Sequence, residues 1–130
     1  MGEIISTLEP LFENQQAVFG IRELARLTGI NHTTIRQRLL DYEKKGFVQR
    51  KSEGHFVGFS ASESHAFILL KKYYNMKKIY DSQILDFLNK FFDFPTIVLF
   101  GSYPFAEDVA TSDIDICVIS AIEKGFLWAL

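Results

Sequence analysis

The chain of 130 residues has one cysteine, Cys117, and only three prolines. A lone cysteine excludes an internal disulfide and any cysteine-based zinc cluster. It also fits a reducing compartment, so a cytoplasmic location is expected. No apolar run reaches the roughly 18 residues of a membrane span, so no membrane partner is expected. The N-terminus carries Glu3 and lacks a basic segment ahead of a long apolar stretch. No secretory signal is read there.

What the sequence does have is core-forming material. Apolar residues make up 48% of it and charged residues 23%, which is globular rather than disordered composition. Phenylalanine alone occurs 13 times, enough for a packed core or for a surface that needs a partner. The length allows one ordinary domain or two very small ones. The net charge of −2 conceals an asymmetry. Residues 20–51 hold eight basic side chains against three acidic ones, whereas residues 93–130 hold one against six. A basic front and an acidic back predict two separate tasks.

The front reads as helices followed by a hairpin. Ile4, Ile5, Leu8, Leu11 and Phe12 stand at helical spacing, and Pro10 is expected to end that helix early. A loop is expected over 13–17. Ile21, Leu24, Ala25 and Leu27 then share a helical face, and Gly29 supplies a cheap left-handed C-terminal residue. Asn31 suits the cap of a further helix over 32–45, which would bury Ile35, Leu39 and Tyr42 before Gly46. Helix, glycine turn, helix is the helix-turn-helix pattern. Beyond Gly46 the period shortens. Residues 47–51 and 55–59 are β-prone, and Ser52, Glu53 and Gly54 between them predict a hairpin turn.

If such a second helix enters a DNA major groove, its N-terminal part faces the bases. That part offers His32, Thr33, Thr34, Arg36, Gln37 and Arg38. Thr33, Thr34 and Gln37 can hydrogen-bond base edges, and Arg36 or Arg38 can reach guanine bidentately. Arg50, Lys51 and His55 on the hairpin, with Arg22 and Arg26, suit phosphates. The series Ile21, Leu24, Ala25, Thr28, Gly29, Ile30, Thr34, Ile35, Leu39 resembles winged-helix transcription regulators of bacteria and archaea. The resemblance implies binding of double-stranded DNA by residues 1–60.

Residues 61–92 read as a helical connector. Ser60 or Ser62 is expected to cap a helix that carries Ala66, Phe67, Leu69, Leu70, Tyr73 and Tyr74 and runs to about Asn75. A second helix is expected over 81–92, capped by Asp81 or Ser82. Two such apolar helices beside a DNA-binding unit are suited to homodimerisation.

The back, residues 93–130, carries an ordered constellation. An apolar strand over 96–100 runs into Gly101 and Ser102, and ten residues later come Ser112, Asp113, Ile114 and Asp115. Alternation is expected to put Asp113 and Asp115 on one strand face, where a hard cation such as Mg²⁺ would relieve their repulsion. Glycine lets the backbone approach a phosphate, and N–H groups at the start of a following helix can face it. This order of motifs resembles the minimal nucleotidyltransferases of the polymerase-beta superfamily. The resemblance implies a nucleoside triphosphate held at Gly101 and Ser102, and Mg²⁺ held at Asp113 and Asp115.

Two departures weigh against transfer chemistry. Relatives have Ala-Arg-Gly-Glu soon after Gly-Ser, where this chain has Pro104, Phe105, Ala106 and Glu107. Relatives also take a third carboxylate from a later strand, and Glu123 is too close in sequence to supply it. The domain therefore reads as truncated. Phe126, Leu127, Trp128 and Leu130 are expected to cover the sheet edge left by the missing strand. The expected fold class is α+β: an N-terminal winged helix-turn-helix, a helical connector and a truncated α/β nucleotidyltransferase-like part. The expected function is sequence-specific DNA binding by a dimeric transcription regulator, with independent catalysis not expected. The alternative is an Mg²⁺-dependent nucleotidyltransferase acting on a protein or RNA hydroxyl, as in antitoxin-like relatives.

Overall fold

The computed structural model describes residues 2–121 and the backbone of residues 127–129. The fold is mixed α+β, with five α-helices and two small antiparallel sheets among the described residues. The chain divides into two compact units, residues 1–71 and 72–130.

The first unit begins with α1, Gly2–Glu13, which buries Thr7, Leu8, Leu11 and Phe12. Pro10 lies inside this helix and does not end it early. An interior proline costs about 3 kcal/mol, whereas each fully buried large apolar side chain stabilises by about 1.5–3 kcal/mol. Three such side chains outweigh it. α2, Ile21–Thr28, buries Leu24 and ends at Gly29, whose φ of 73° is left-handed and whose N–H bonds to the Ala25 carbonyl. α3, His32–Lys44, is capped by Asn31, whose side-chain oxygen accepts from the Thr33 N–H at 2.8 Å. It buries Ile35, Leu39 and Tyr42.

β1, Val48–Glu53, pairs antiparallel with β2, Phe56–Ala61. The strands lie one or two residues later than expected, because the turn residues are Gly54 and His55. Glycine in the first position of a two-residue loop, here with φ 62°, matches the strand twist. Between the expected loop over 13–17 and α2 lies a third partner: Phe19 bridges Phe59 through two backbone hydrogen bonds of 2.8 Å. Gly58 makes that approach feasible, since a Cβ there would lie 2.5 Å from Val18 Cγ1. Ser60 is in β2, not at a helix start.

α4, His65–Asp81, is capped by Ser64, whose hydroxyl accepts from the Phe67 N–H at 3.4 Å. Phe67 packs on Phe12 with ring centroids 5.3 Å apart. The boundary between the units falls inside this helix. It continues six residues beyond Asn75, because Ile79 is also buried. Asp81 therefore ends α4 rather than capping the next helix. Ser82 and Gln83 link it to α5, Ile84–Phe92, and the Ser82 hydroxyl accepts from the Ile84 N–H.

In the second unit, β3, Thr96–Phe100, pairs antiparallel with β4, Asp115–Ile119. β4 also pairs antiparallel with β5, Leu127–Ala129, which gives the order β3-β4-β5. The apolar tail segment thus lies along the free edge of β4, as expected for Leu127 and Trp128. Glu123, Phe126 and Leu130 lie outside the described residues. The core consists of Leu88, Phe92, Ile116 and Val118, with Ile84, Ile97, Leu99 and Ile114 against it.

Candidate nucleic-acid interface and nucleotide site

Ile35, Leu39 and Tyr42 define the inner face of α3, and burial pushes the Tyr42 phenol pKa up. Successive residues turn by about 100° in an α-helix. Thr33, Gln37 and Lys44 therefore lie opposite the buried residues, with Leu40 on one side of them and Asp41 on the other, and all five are exposed. Arg36 is exposed on the flank of that face, and His32, the first residue of α3, is exposed on the side of Leu39 rather than on the outer face. Thr34 is half-buried on the other flank.

Arg38 does not belong to the outer face. Its Nε pairs with Glu3 at 3.1 Å, and its Nη1 donates to the Thr7 hydroxyl at 3.0 Å. The guanidinium ties α3 to α1 in the free protein. Arg50 is also occupied. Its Nε and Nη2 donate to the two Glu43 carboxylate oxygens at 3.2 and 3.1 Å, and it lies over the Phe59 ring. Its donors are engaged in the forked geometry a phosphate would need. Lys51 on β1 and His55 in the turn are exposed, as are Arg22 and Arg26 on α2. Lys45 is held by Asp41 at 2.9 Å, and that hydrogen bond raises its pKa. Lys44, one residue earlier, stays on the outer face.

In the second unit, Gly101 follows β3 directly with φ 80°. A Cβ on it would lie 2.5 Å from Asp115 Oδ2, so the Gly101 backbone rests on the Asp115 carboxylate. The pairing of Phe100 with Asp115 produces this approach. Asp115 is half-buried at the start of β4. Asp113, expected on the same strand, is exposed in the loop before it. The ladder ends where Gly101 turns away, so the strand does not reach back to Asp113. Alternation still continues, since Ile114, Ile116 and Val118 all join the core.

The expected helix after Gly101 and Ser102 is absent. A three-residue 3-10 turn, Tyr103–Phe105, stands there, stopped by Ala106 at φ 58°. It offers no helical N-terminus to an anion. The loop is anchored instead by Asn75 on α4. Asn75 is buried, and its amide donates to the Tyr103 carbonyl at 2.9 Å and to Asp108 Oδ1 at 2.8 Å. The Tyr103 hydroxyl donates back to the Asn75 carbonyl at 3.1 Å.

The carboxylates of Asp113 and Asp115 are hard oxygen donors. They suit Mg²⁺ shared with phosphate oxygens, which needs only one or two protein carboxylates. Among the described residues, no group of three or more metal-ligating side chains is gathered. Likewise, no described helix is long and apolar enough to cross a membrane.

Sequence patterns alone missed several residues of these sites. Leu40 and Lys44 were visible through the 3.6-residue period, once the face opposite Ile35 and Leu39 is traced. Asn75 and Asp108 carried no local signal, because their partners are 28 and 33 residues away. No family model, no curated protein and no solved structure matches this chain.

Proposed function

We propose that residues 1–71 form a winged helix-turn-helix that binds double-stranded DNA, with α3 in the major groove and the β1–β2 hairpin as the wing. One observation carries this reading: the outer face of α3 presents Thr33, Gln37 and Lys44, flanked by Arg36, while its inner face is closed on the core. Thr33, Arg36 and Gln37 suit base edges. Lys44, Lys51, His55, Arg22 and Arg26 suit phosphates. The protein is read as a transcription regulator working as a homodimer. Exposed Tyr73, Met76 and Tyr80 on α4, with Phe87 and Phe91 on α5, support self-association. Fluorescence anisotropy with a labelled duplex in low salt tests the first claim, and absence of binding overturns it. Sedimentation at micromolar concentration tests the second, and a monomer there overturns it.

A second reading is favoured by the Gly101–Asp115 approach alone. In it, the second unit holds a nucleoside triphosphate at Gly101 and Ser102, with Mg²⁺ on Asp113 and Asp115. The metal would supply charge neutralisation for the phosphates. The chain's own part is to bring backbone and carboxylate together through the Phe100–Asp115 pairing, with Asn75 anchoring the loop that follows Ser102. Label transfer from a nucleoside triphosphate to a protein or RNA hydroxyl tests it. Transfer that persists in the Asp113→Asn, Asp115→Asn double variant removes these residues from the chemistry.

A further inference from the structure

The outer face of α3 is polar except at Leu40. Arg36, Gln37, Glu43 and Lys44 stand three or four residues from that position, and Leu40 is 39% exposed. Leu39, its neighbour in sequence, is fully buried, whereas Leu40 is only partly covered. An isolated surface leucine needs no explanation. This one stands one helical turn after Gln37 and one before Lys44, on the face that meets bases under the reading above.

The floor of the major groove has one apolar feature, the C5 methyl of thymine. A leucine among hydrogen-bonding neighbours cannot read any donor or acceptor. It can only bury a methyl group or leave a polar edge dehydrated. We infer that Leu40 is a specificity-determining residue that selects thymine, through its C5 methyl, at one fixed position of each bound site.

This inference rests on the DNA-binding reading, and the experiment separates the two. Duplexes are selected by the full-length protein from a random pool, and the enriched site is resynthesised with deoxyuridine replacing each thymine in turn. Deoxyuridine keeps every hydrogen-bonding group and lacks only the methyl. Removing one buried methyl-sized contact, at about 0.8 kcal/mol, corresponds to about a four-fold loss of affinity. The expected result is a loss of about that size at one thymine for the wild type and none at that thymine for Leu40→Ala. Leu40 is partly covered, so Leu40→Ala should lower the thermal midpoint by only a few degrees, and a melting curve checks that the variant is folded at the titration temperature. A site with no fixed thymine, or an equal deoxyuridine effect in both proteins, overturns the role of Leu40 and leaves DNA binding standing. Failure to enrich any duplex overturns both.

Discussion

Gly101 shows how one residue can be fixed by two independent constraints. Its φ of 80° is left-handed, which costs a residue with a Cβ about 1–2 kcal/mol. Its α-carbon also faces Asp115 Oδ2, leaving 2.5 Å for any Cβ. Asp115 Oδ2 ends a short side chain whose backbone alone is paired in β4, so rotation of the carboxylate can relieve part of that contact. Gly101→Ala should destabilise the second unit by about 1–2 kcal/mol from φ strain, and by more to the extent that the Asp115 carboxylate must be displaced. Urea unfolding followed through a probe in residues 72–130 measures this. A change of only about 1 kcal/mol would mean that the carboxylate moves aside freely and the φ strain alone is felt; a change below about 0.5 kcal/mol would overturn both constraints. Gly29 meets only the first constraint: its φ is 73°, and nothing lies within 4 Å of its Cβ position. Alanine there should be the milder substitution.

At the scale of elements, the order of helices and strands was legible where local chemistry decides it. Gly29, Asn31 and the spacing of Ile35, Leu39 and Tyr42 define α2, its turn and α3 without distant partners. Asn31→Ala removes the acceptor for the Thr33 N–H and should cost about 1 kcal/mol in equilibrium unfolding. The same substitution should fray the N-terminal turn that carries His32 and Thr33. Amide exchange at Thr33 and Thr34 should then quicken while exchange at Leu39 stays slow. Equal protection in both proteins would show that the cap is dispensable. Features set by remote partners were not legible. The Phe19–Phe59 bridge joins residues forty apart, and no local pattern marks Phe19 as a strand residue. Arg38 reads as a free basic group until Glu3 and Thr7 are brought beside it. α4 reads as ending at Asn75, because an asparagine there is explained only by Tyr103 and Asp108. In the candidate nucleotide site, Gly101 and Asp115 were placed by strand logic. Asp113 was not, because the ladder stops before it.

Across the whole molecule, the distribution of charge makes the DNA-binding reading quantitative. The net charge of −2 predicts repulsion from a polyanion, yet residues 20–51 carry an excess of five positive charges. Binding would then depend on a local patch and fall steeply with salt, because each neutralised phosphate releases counterions. Within that patch the basic groups are not equivalent. Arg38, Lys45 and Arg50 are paired with carboxylates of the same chain, whereas Lys44 and Lys51 extend from exposed positions. Lys51→Ala should lower the magnitude of the log-affinity against log-salt slope by about 1 and weaken all duplexes alike. Arg50→Ala should change that slope less, because its guanidinium already has a counter-charge in Glu43. Gln37→Ala should leave the slope unchanged and reduce the preference among sequences, since an uncharged amide releases no counterion. Anisotropy titrations between 50 and 200 mM salt, about a two-fold change in Debye length, resolve the three cases. If Arg50→Ala flattens the slope as much as Lys51→Ala, the Glu43 pair opens on DNA, and the wing carries one more phosphate contact than its free geometry offers.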